Sequence, residues 1–203
     1  MRPQLLERLR AQGPQALDDA ELLQVLLGRG GPRLLHERGG LSALLTSPQT
    51  DSPLTPQQAR IVVVLELARR HYAAAMRGGS VLGSCAETRQ FLRAQLRDRP
   101  YEVFCCIYLD NRHRVIAFEE LFRGTIDGAA VHPREVVRQA LAHNAAALIL
   151  AHNHPSGVAE PSRADELITL RLRDALSLID VRVLDHLIVA GGDTLSLAER
   201  GLL

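Results

Sequence analysis

The sequence contains no lysine, because all 24 of its basic residues are arginine. A Schiff-base enzyme that uses a lysine amine and a Walker-type phosphate loop are therefore excluded, since both need a lysine. Cysteine is also scarce, with three residues and no Cys-x-x-Cys pair. This odd number argues against a disulfide framework and against a four-cysteine zinc site, and it fits a reducing cytoplasm.

A charge imbalance and long apolar runs are missing as well. The formal net charge is +1 over 203 residues, which gives no global electrostatic case for binding nucleic acid or an acidic membrane surface. No apolar run reaches the roughly 18 residues of a membrane span. The N-terminal segment MRPQLLERLRAQ is amphipathic and lacks the apolar centre of a signal peptide. We therefore expect a cytoplasmic protein with no membrane partner.

Two parts of the chain differ in their hydrophobic periodicity. Residues 1–77 carry leucines at helical spacing, interrupted by segments such as GRGGP and TDSPLTP, which predicts a small all-α helical module. The glycines of Arg77-Gly78-Gly79-Ser80 indicate a short linker. Residues 80–203 alternate strand and helix patterns, which predicts an α/β domain. Strand patterns cover 102–109, 115–124, 147–151, 181–189 and 194–197, and helix patterns cover 88–96, the segment from His132, and 162–178.

The segment from Ala151 to Asp165 holds a candidate metal site. His152 and His154 leave the end of a buried strand with one residue between them. Strand side chains alternate, so these two imidazoles point to the same side and can share a metal. Asp165, one turn into the next helix, can return to that place as a third ligand. Three protein ligands leave a fourth tetrahedral position for water, which is typical of a catalytic zinc.

Other interpretations of the same residues exist. Ser162-x-x-Asp165 is also close to a helix capping box, a role compatible with metal binding because a cap fixes the helix end that presents the acid. The letters His-Asn-His suggest an HNH nuclease, but that label describes residues scattered over a ββα unit rather than a contiguous tripeptide. A two-metal nuclease would need further carboxylates, and none is spaced suitably around the histidine pair.

The joint spacing of His-x-His, Ser162 and Asp165 resembles the JAMM motif of the MPN-type metallopeptidases. The longer series LFRGTID, HPREVVRQAL, LILAHNHPSG, PSRAD and VLDHLIV resembles the RadC family within that superfamily. The five blocks stand in the family's order across residues 80–203. The resemblance extends more weakly over the N-terminal part, through DDAELLQVLLGRG and ARIVVVLELARR.

The RadC resemblance implies an α/β/α fold with a curved, mixed sheet and a zinc hydrolase centre. It implies that His152, His154 and Asp165 are the zinc ligands. It also implies that the hydroxyl of Ser162 hydrogen-bonds the metal-bound water or the developing oxyanion. The superfamily has a further acid upstream of the histidine pair, and Glu102 is its match in this sequence.

Glu119 and Glu120 are alternatives to Glu102 as the general base. Glu102 opens the apolar run VFCCIYL at the margin of the core, where apolar neighbours can raise the pKa of a carboxyl towards neutral. Glu119 and Glu120 are adjacent, so strand alternation allows at most one of them to face the metal. We therefore predict that Glu102 is the base.

Two functions remain open at this point. The first is a zinc-dependent hydrolase that cleaves a peptide or isopeptide amide, with a peptide or protein substrate that the sequence does not select. The second is a DNA-associated accessory protein with a structural or vestigial zinc site. Relatives usually carry a glycine-rich helix-hairpin-helix turn where this chain has Ser52–Gln58, SPLTPQQ. Paired glycines that let backbone amides approach a phosphate are absent there, which argues against DNA binding by the N-terminal module.

Overall fold

The computed structural model describes residues 3–46, 53–77, 85–124 and 131–203. The chain divides into two compact units, Met1–Leu67 and Ala68–Leu203. This division falls within one helix, α5 (Pro56–Arg77). The predicted linker at 78–80 lies outside the described residues, so the domain boundary between 1–77 and 80–203 stays a prediction.

The first unit is helical, as the leucine spacing predicts. Its core is formed by side chains that recur on single helix faces, and the buried ones are Leu23, Leu27, Leu44 and Ile61. Asp18 caps the second helix, because its carboxylate accepts a hydrogen bond from the backbone N–H of Glu21. The helices that precede α5 are α1 (Pro3–Gln12), α2 (Asp19–Leu27), α3 (Gly31–Glu37) and α4 (Leu41–Thr46).

The second unit contains a mixed five-stranded sheet in the order β2-β1-β3-β4-β5. Only β3 and β4 run parallel, and the other neighbouring pairs are antiparallel. The strands are β1 (Val103–Leu109), β2 (Val115–Arg123), β3 (Ala147–Asn153), β4 (Arg182–Ala190) and β5 (Asp193–Ser196). The helices of this unit that follow α5 are α6 (Cys85–Leu96), α7 (Pro133–Ala142) and α8 (Arg163–Ser177).

Side chains of the central strands alternate between two apolar clusters, one on each face of the sheet. Cys105 and Ile107 of β1 pack in the cluster that includes Phe91 and Leu92 of α6. The opposite face packs against α7 and α8, in a cluster that includes Cys106, Tyr108, Val136, Ala140, Leu172 and Leu176. Because both faces are covered by helices, the domain has the α/β/α layering that the RadC resemblance implies.

The topology brings three strand ends together at one end of the sheet. β1 and β3 are antiparallel, with Phe104 opposite His152, so β1 begins where β3 ends. β4 runs parallel to β3 and ends beside it. β3 itself continues past its predicted end at residue 151 and includes His152 and Asn153, which are both buried. Within the described residues, no helix is long and apolar enough to cross a bilayer.

Candidate metal centre

His152 and His154 face each other at the end of β3. His152 is the second-last residue of the strand and His154 follows it directly. The Nε2 atoms of the two rings are 3.0 Å apart. Strand alternation therefore places both imidazoles on one side, as their spacing predicts. The His152 side chain is 1% exposed and the His154 side chain 17% exposed, so one ring lies in the core and the other at its rim.

Asp165 approaches the two rings from the first turn of α8. Its Oδ1 lies 3.2 Å from Nε2 of His152, and its Oδ2 lies 3.5 Å from Nε2 of His154. The three side chains form the only group of three or more potential metal ligands among the described residues. Within this group, the ligand atoms all lie within 4.8 Å of one another.

Ser162 and Asp165 form a reciprocal capping box at the start of α8. The backbone N–H of Asp165 donates to Ser162 Oγ over 3.1 Å, while Ser162 N donates to Asp165 Oδ2 over 2.7 Å. The Ser162 hydroxyl also donates to Oδ2, over 2.6 Å. Asp165 thus takes part in the helix cap and faces the histidines at the same time, because its Oδ1 remains directed at His152.

A tight turn after β3 sets the orientation of the His154 ring. Gly157 has φ of +79°, a conformation that glycine adopts without strain, and its N–H donates to the carbonyl of His154. The chain then returns so that His154 Nδ1 lies 2.9 Å from the carbonyl oxygen of Val158. A carbonyl can only accept, so Nδ1 carries a proton and Nε2 is the nitrogen available to a metal.

The ionisable groups of this cluster favour a positive charge at its centre. The hydrogen bond to Asp165 raises the pKa of His154 above its usual value, against the opposing effect of burial. Burial alone would raise the pKa of Asp165, but hydrogen bonds with His152 and His154 outweigh it and hold that pKa far below its usual range. Both shifts have the same physical cause: the Asp165 carboxylate interacts favourably with positive charge on the imidazoles.

Glu102 directly precedes β1, at the end of the sheet where β3 finishes. Phe104, two residues after Glu102 in the chain, lies opposite His152 in the terminal residue pair of β1 and β3. Residues opposite each other in an antiparallel pair share a face of the sheet. The negative charge of Glu102 is also among the groups that raise the pKa of His154.

Glu119 and Glu120 are held elsewhere, on opposite faces of the sheet. Glu119 lies opposite Cys106, and its Oε1 is 2.9 Å from Nε2 of His143. Glu120 lies opposite Cys105 and forms a salt bridge with Arg99. Alternation along β2 thus separates the two acids, as their adjacency predicts.

Asn153 was not predicted to have a role, yet its side chain fixes the backbone on both sides of Glu102. Its Oδ1 accepts a hydrogen bond from Val103 N over 2.8 Å, and its Nδ2 donates to the carbonyl of Tyr101 over 3.0 Å. Asn153 is 1% exposed. The residue between the two histidines therefore ties the end of β3 to the segment that carries Glu102.

Residues 82–202 match the model of the RadC-like JAB domain. The chain belongs to the RadC family. A UPF0758 protein of Thioalkalivibrio sulfidiphilus is 57% identical to it, over 97% of this chain and 94% of that protein. UPF0758 proteins of Nitrosococcus oceani and Halorhodospira halophila are 55% and 54% identical over the same shares of the two chains.

The JAB domain of this chain has a donor set that fits zinc. Zinc is bound by imidazole nitrogens and carboxylate oxygens, and three protein ligands are typical of sites that keep an open position. Here His152, His154 and Asp165 supply two nitrogens and a carboxylate that converge at one end of the sheet. The two Nε2 atoms and the Asp165 carboxylate lie close enough together to share one cation, so the residues present suit the metal that the JAMM resemblance implies.

Proposed function

We propose that this RadC-family protein is a zinc-dependent hydrolase that cleaves a peptide or isopeptide amide. The observation that carries the proposal is the convergence of the His152, His154 and Asp165 side chains at the end of β3. The charge of Glu102 acts on His154, which supports a second carboxylate near the same group. Two imidazoles, one ligating carboxylate and one further acid form a constellation suited to hydrolysis.

His152, His154 and Asp165 would hold the zinc through two Nε2 atoms and the carboxylate. When bound, zinc supplies Lewis-acid chemistry, which lowers the pKa of a water molecule to about 7 and polarises a carbonyl. The two imidazoles lie at different depths, since His152 is buried and His154 reaches the rim. A substrate would therefore approach from the His154 side.

Glu102 would act as the general base. Its carboxylate would accept the proton of the attacking water and then pass that proton to the leaving amine. Asn153 Nδ2 donates to the carbonyl of Tyr101 and Asn153 Oδ1 accepts from Val103 N, and these two bonds would restrict the backbone from which the Glu102 carboxylate projects. A fixed backbone limits the positions that the proton acceptor can adopt, which is what efficient proton transfer needs.

Ser162 would steady the developing oxyanion with its hydroxyl. In the structure this hydroxyl donates to Asp165 Oδ2, so the proposed role requires it to rotate away from that carboxylate. Oδ2 would keep the hydrogen bond from Ser162 N, and the cap on the Asp165 N–H would also remain. The helix end can therefore stay capped while the hydroxyl turns to the substrate.

The start of α5 offers less support for the DNA-associated alternative. Gln58 N donates to Thr55 Oγ1 over 3.3 Å, and Thr55 N donates to the side chain of Gln58 over 2.9 Å. These bonds occupy backbone amides at the place where the family resemblance expects a glycine turn. Amides paired within the chain do not present themselves to a phosphate.

Replacement of Glu102 tests the proposed chemistry. Zinc-loaded wild type and Glu102→Gln would be incubated with a library of peptides and isopeptide conjugates, and the products read by mass spectrometry. We expect Glu102→Gln to bind zinc as the wild type does. Its cleavage rate should be lower by about 10²- to 10⁴-fold. Glu119→Gln is the matched control, because Glu119 pairs with His143, and its rate should stay near that of the wild type.

Three outcomes would count against the proposal. Unchanged cleavage by Glu102→Gln would remove Glu102 as the base. Zinc-loaded wild type that cleaves none of the amides would contradict the activity itself. Salt-sensitive retention of the same protein on DNA, together with that lack of cleavage, would favour the accessory function.

A further inference from the structure

A chain of polar groups crosses the otherwise apolar face of the sheet behind His152. Thr169 of α8 and His186 of β4 are both fully buried. Thr169 Oγ1 lies 2.5 Å from Nδ1 of His186, and Nε2 of His186 lies 2.8 Å from Nδ1 of His152. The Thr169 hydroxyl also donates to the backbone carbonyl of Asp165, over 2.5 Å. Two of the three candidate metal ligands are thus joined by one hydrogen-bond chain.

The direction of each hydrogen bond in this series follows from its terminal acceptor, the backbone carbonyl of Asp165. The carbonyl of Asp165 cannot donate, so the proton of the Thr169 hydroxyl is used there. The Thr169 oxygen must then accept from Nδ1–H of His186. A neutral imidazole carries a single N–H, which leaves Nε2 of His186 as an acceptor.

The same order continues to the metal centre. Because Nε2 of His186 accepts, Nδ1 of His152 must carry the proton and donate to it. The lone pair of His152 then lies on Nε2, the atom that is 3.0 Å from Nε2 of His154 and 3.2 Å from Asp165 Oδ1. The hydrogen-bond chain thus selects the tautomer of His152 that can bind a metal, and it holds the plane of the ring.

We propose that His186 is a positioning residue that orients the His152 ring for metal binding, and that Thr169 sets the tautomer of His186. This inference rests on the proposed function, since it concerns the presentation of His152 to zinc. Without His186, the His152 ring can rotate or carry its proton on Nε2, and either change removes a ligand. Hydrogen-bonded partners of a metal-binding histidine typically contribute about 10- to 100-fold to metal affinity.

Zinc affinity of the full chain tests this role independently of activity. Zinc dissociation constants would be measured by competition with a chromogenic chelator, after circular dichroism has shown each variant to be folded. We expect His186→Phe to weaken zinc binding by about 10- to 100-fold. His143→Phe is the control, because His143 is also hydrogen-bonded but to Glu119, and its zinc affinity should equal that of the wild type.

A second pair of variants isolates the Thr169 hydroxyl. Thr169→Val removes the hydroxyl and nearly keeps the shape, whereas Thr169→Ser keeps the hydroxyl. We expect Thr169→Val to weaken zinc binding by up to about 10-fold and Thr169→Ser to restore the wild-type value. This pair decides the question even where His186→Phe fails to fold, because the smaller substitution leaves both histidines in place.

The position of the proton on His186 gives a direct readout. Long-range ¹H–¹⁵N correlation spectra of the zinc-loaded wild type should show His186 protonated on Nδ1 and bare on Nε2. A proton on Nε2 of His186, or wild-type zinc affinity in both His186→Phe and Thr169→Val, would overturn the inference. Wild-type protein that binds no zinc would instead overturn the proposed function, so the two failures are distinct.

Discussion

His152 and His154 lie two residues apart and converge on one point, yet the protein holds them in different ways. His152 is buried, and its Nδ1 contacts a side chain of β4, His186. His154 is partly exposed, and its Nδ1 donates to the carbonyl of Val158, four residues further along the same loop. One ring is thus positioned by tertiary packing and the other by a local turn.

This difference predicts how much stability the protein loses when each histidine is replaced. A buried polar group that loses its partner costs about 1–3 kcal/mol of stability, because its desolvation is no longer compensated. A group at the rim loses much less, since water can replace the missing partner. The histidine pair therefore combines a ligand integrated into the core with one that local changes can displace without unfolding the domain.

Alanine substitution should reveal the largest difference between His152 and His154. We expect both His152→Ala and His154→Ala to lose stoichiometric zinc, because each removes a ligand. In the zinc-free proteins, His152→Ala should lower the free energy of unfolding by about 1–3 kcal/mol, because it leaves His186 Nε2 buried without its partner. His154→Ala should lower it by less than about 1 kcal/mol.

Chelator-treated protein, unfolded with urea, gives these free energies, and elemental analysis gives the zinc content. Equal losses of stability in the two variants would contradict the contrast between core and rim. Zinc retained at one per chain in His152→Ala would remove this residue from the ligand set.

A turn substitution should affect the rim histidine selectively. Gly157 and Gly201 have φ of +79° and +70°, and an added Cβ would meet no atom within 4 Å at either position. Alanine at each should therefore cost about 1–2 kcal/mol through backbone strain alone. Only Gly157→Ala should also weaken zinc binding, by about 10-fold or less, because it disturbs the turn that directs His154.

Gly201→Ala is thus the matched control for Gly157→Ala. Thermal melts measure the shared loss of stability, and chelator competition measures the zinc affinity. Equal weakening of zinc binding in both variants, or no weakening in either, would show that the Gly157 turn does not direct His154.

The sequence predicts the parts of the site that depend on local contacts, and it does not predict those that depend on tertiary contacts. The candidate ligands His152 and His154 and the Ser162–Asp165 cap are encoded at short spacing, so strand alternation and capping rules predict each pair from the sequence. The opposite faces of Glu119 and Glu120 follow from adjacency in the same way. The RadC membership and the mixed α/β/α sheet are confirmed by the family match and the strand order.

His186 and Thr169 could not be assigned partners from the sequence, because they lie on separate elements that meet only in the folded domain. The signal that exists is the histidine inside the apolar strand segment VLDHLIV, since a buried imidazole needs hydrogen-bond partners. The identity of those partners depends on the parallel β3–β4 register, which contains an irregularity between Leu148 and Ile149. Hydrophobic periodicity does not determine such a register shift.

The smallest effect should come from a local turn away from the metal centre. Asp110 accepts hydrogen bonds from the backbone N–H groups of Arg112 and Arg114 between β1 and β2. The bond from Arg114 N contributes most to a pKa of Asp110 that lies below its usual value near 3.8. A lowered carboxyl pKa stabilises the fold above the unfolded pKa, and this contribution disappears as the pH falls through the folded pKa.

Wild type should therefore be slightly more stable than Asp110→Asn near neutral pH, and the difference should shrink as the pH falls below about 4. Urea unfolding of both proteins across that range measures it. A difference that stays constant with pH would mean that the charge of Asp110 does not contribute to the turn.

We expect His152, His154 and Asp165 to hold one zinc ion at the end of β3. Anomalous diffraction from crystals of the wild-type protein, recorded at the zinc absorption edge, can locate this ion. We expect one anomalous peak per chain, bonded to Nε2 of His152, Nε2 of His154 and the carboxylate of Asp165. A crystal grown with zinc that shows no peak among these three side chains, or a zinc ion held by other residues, would contradict it.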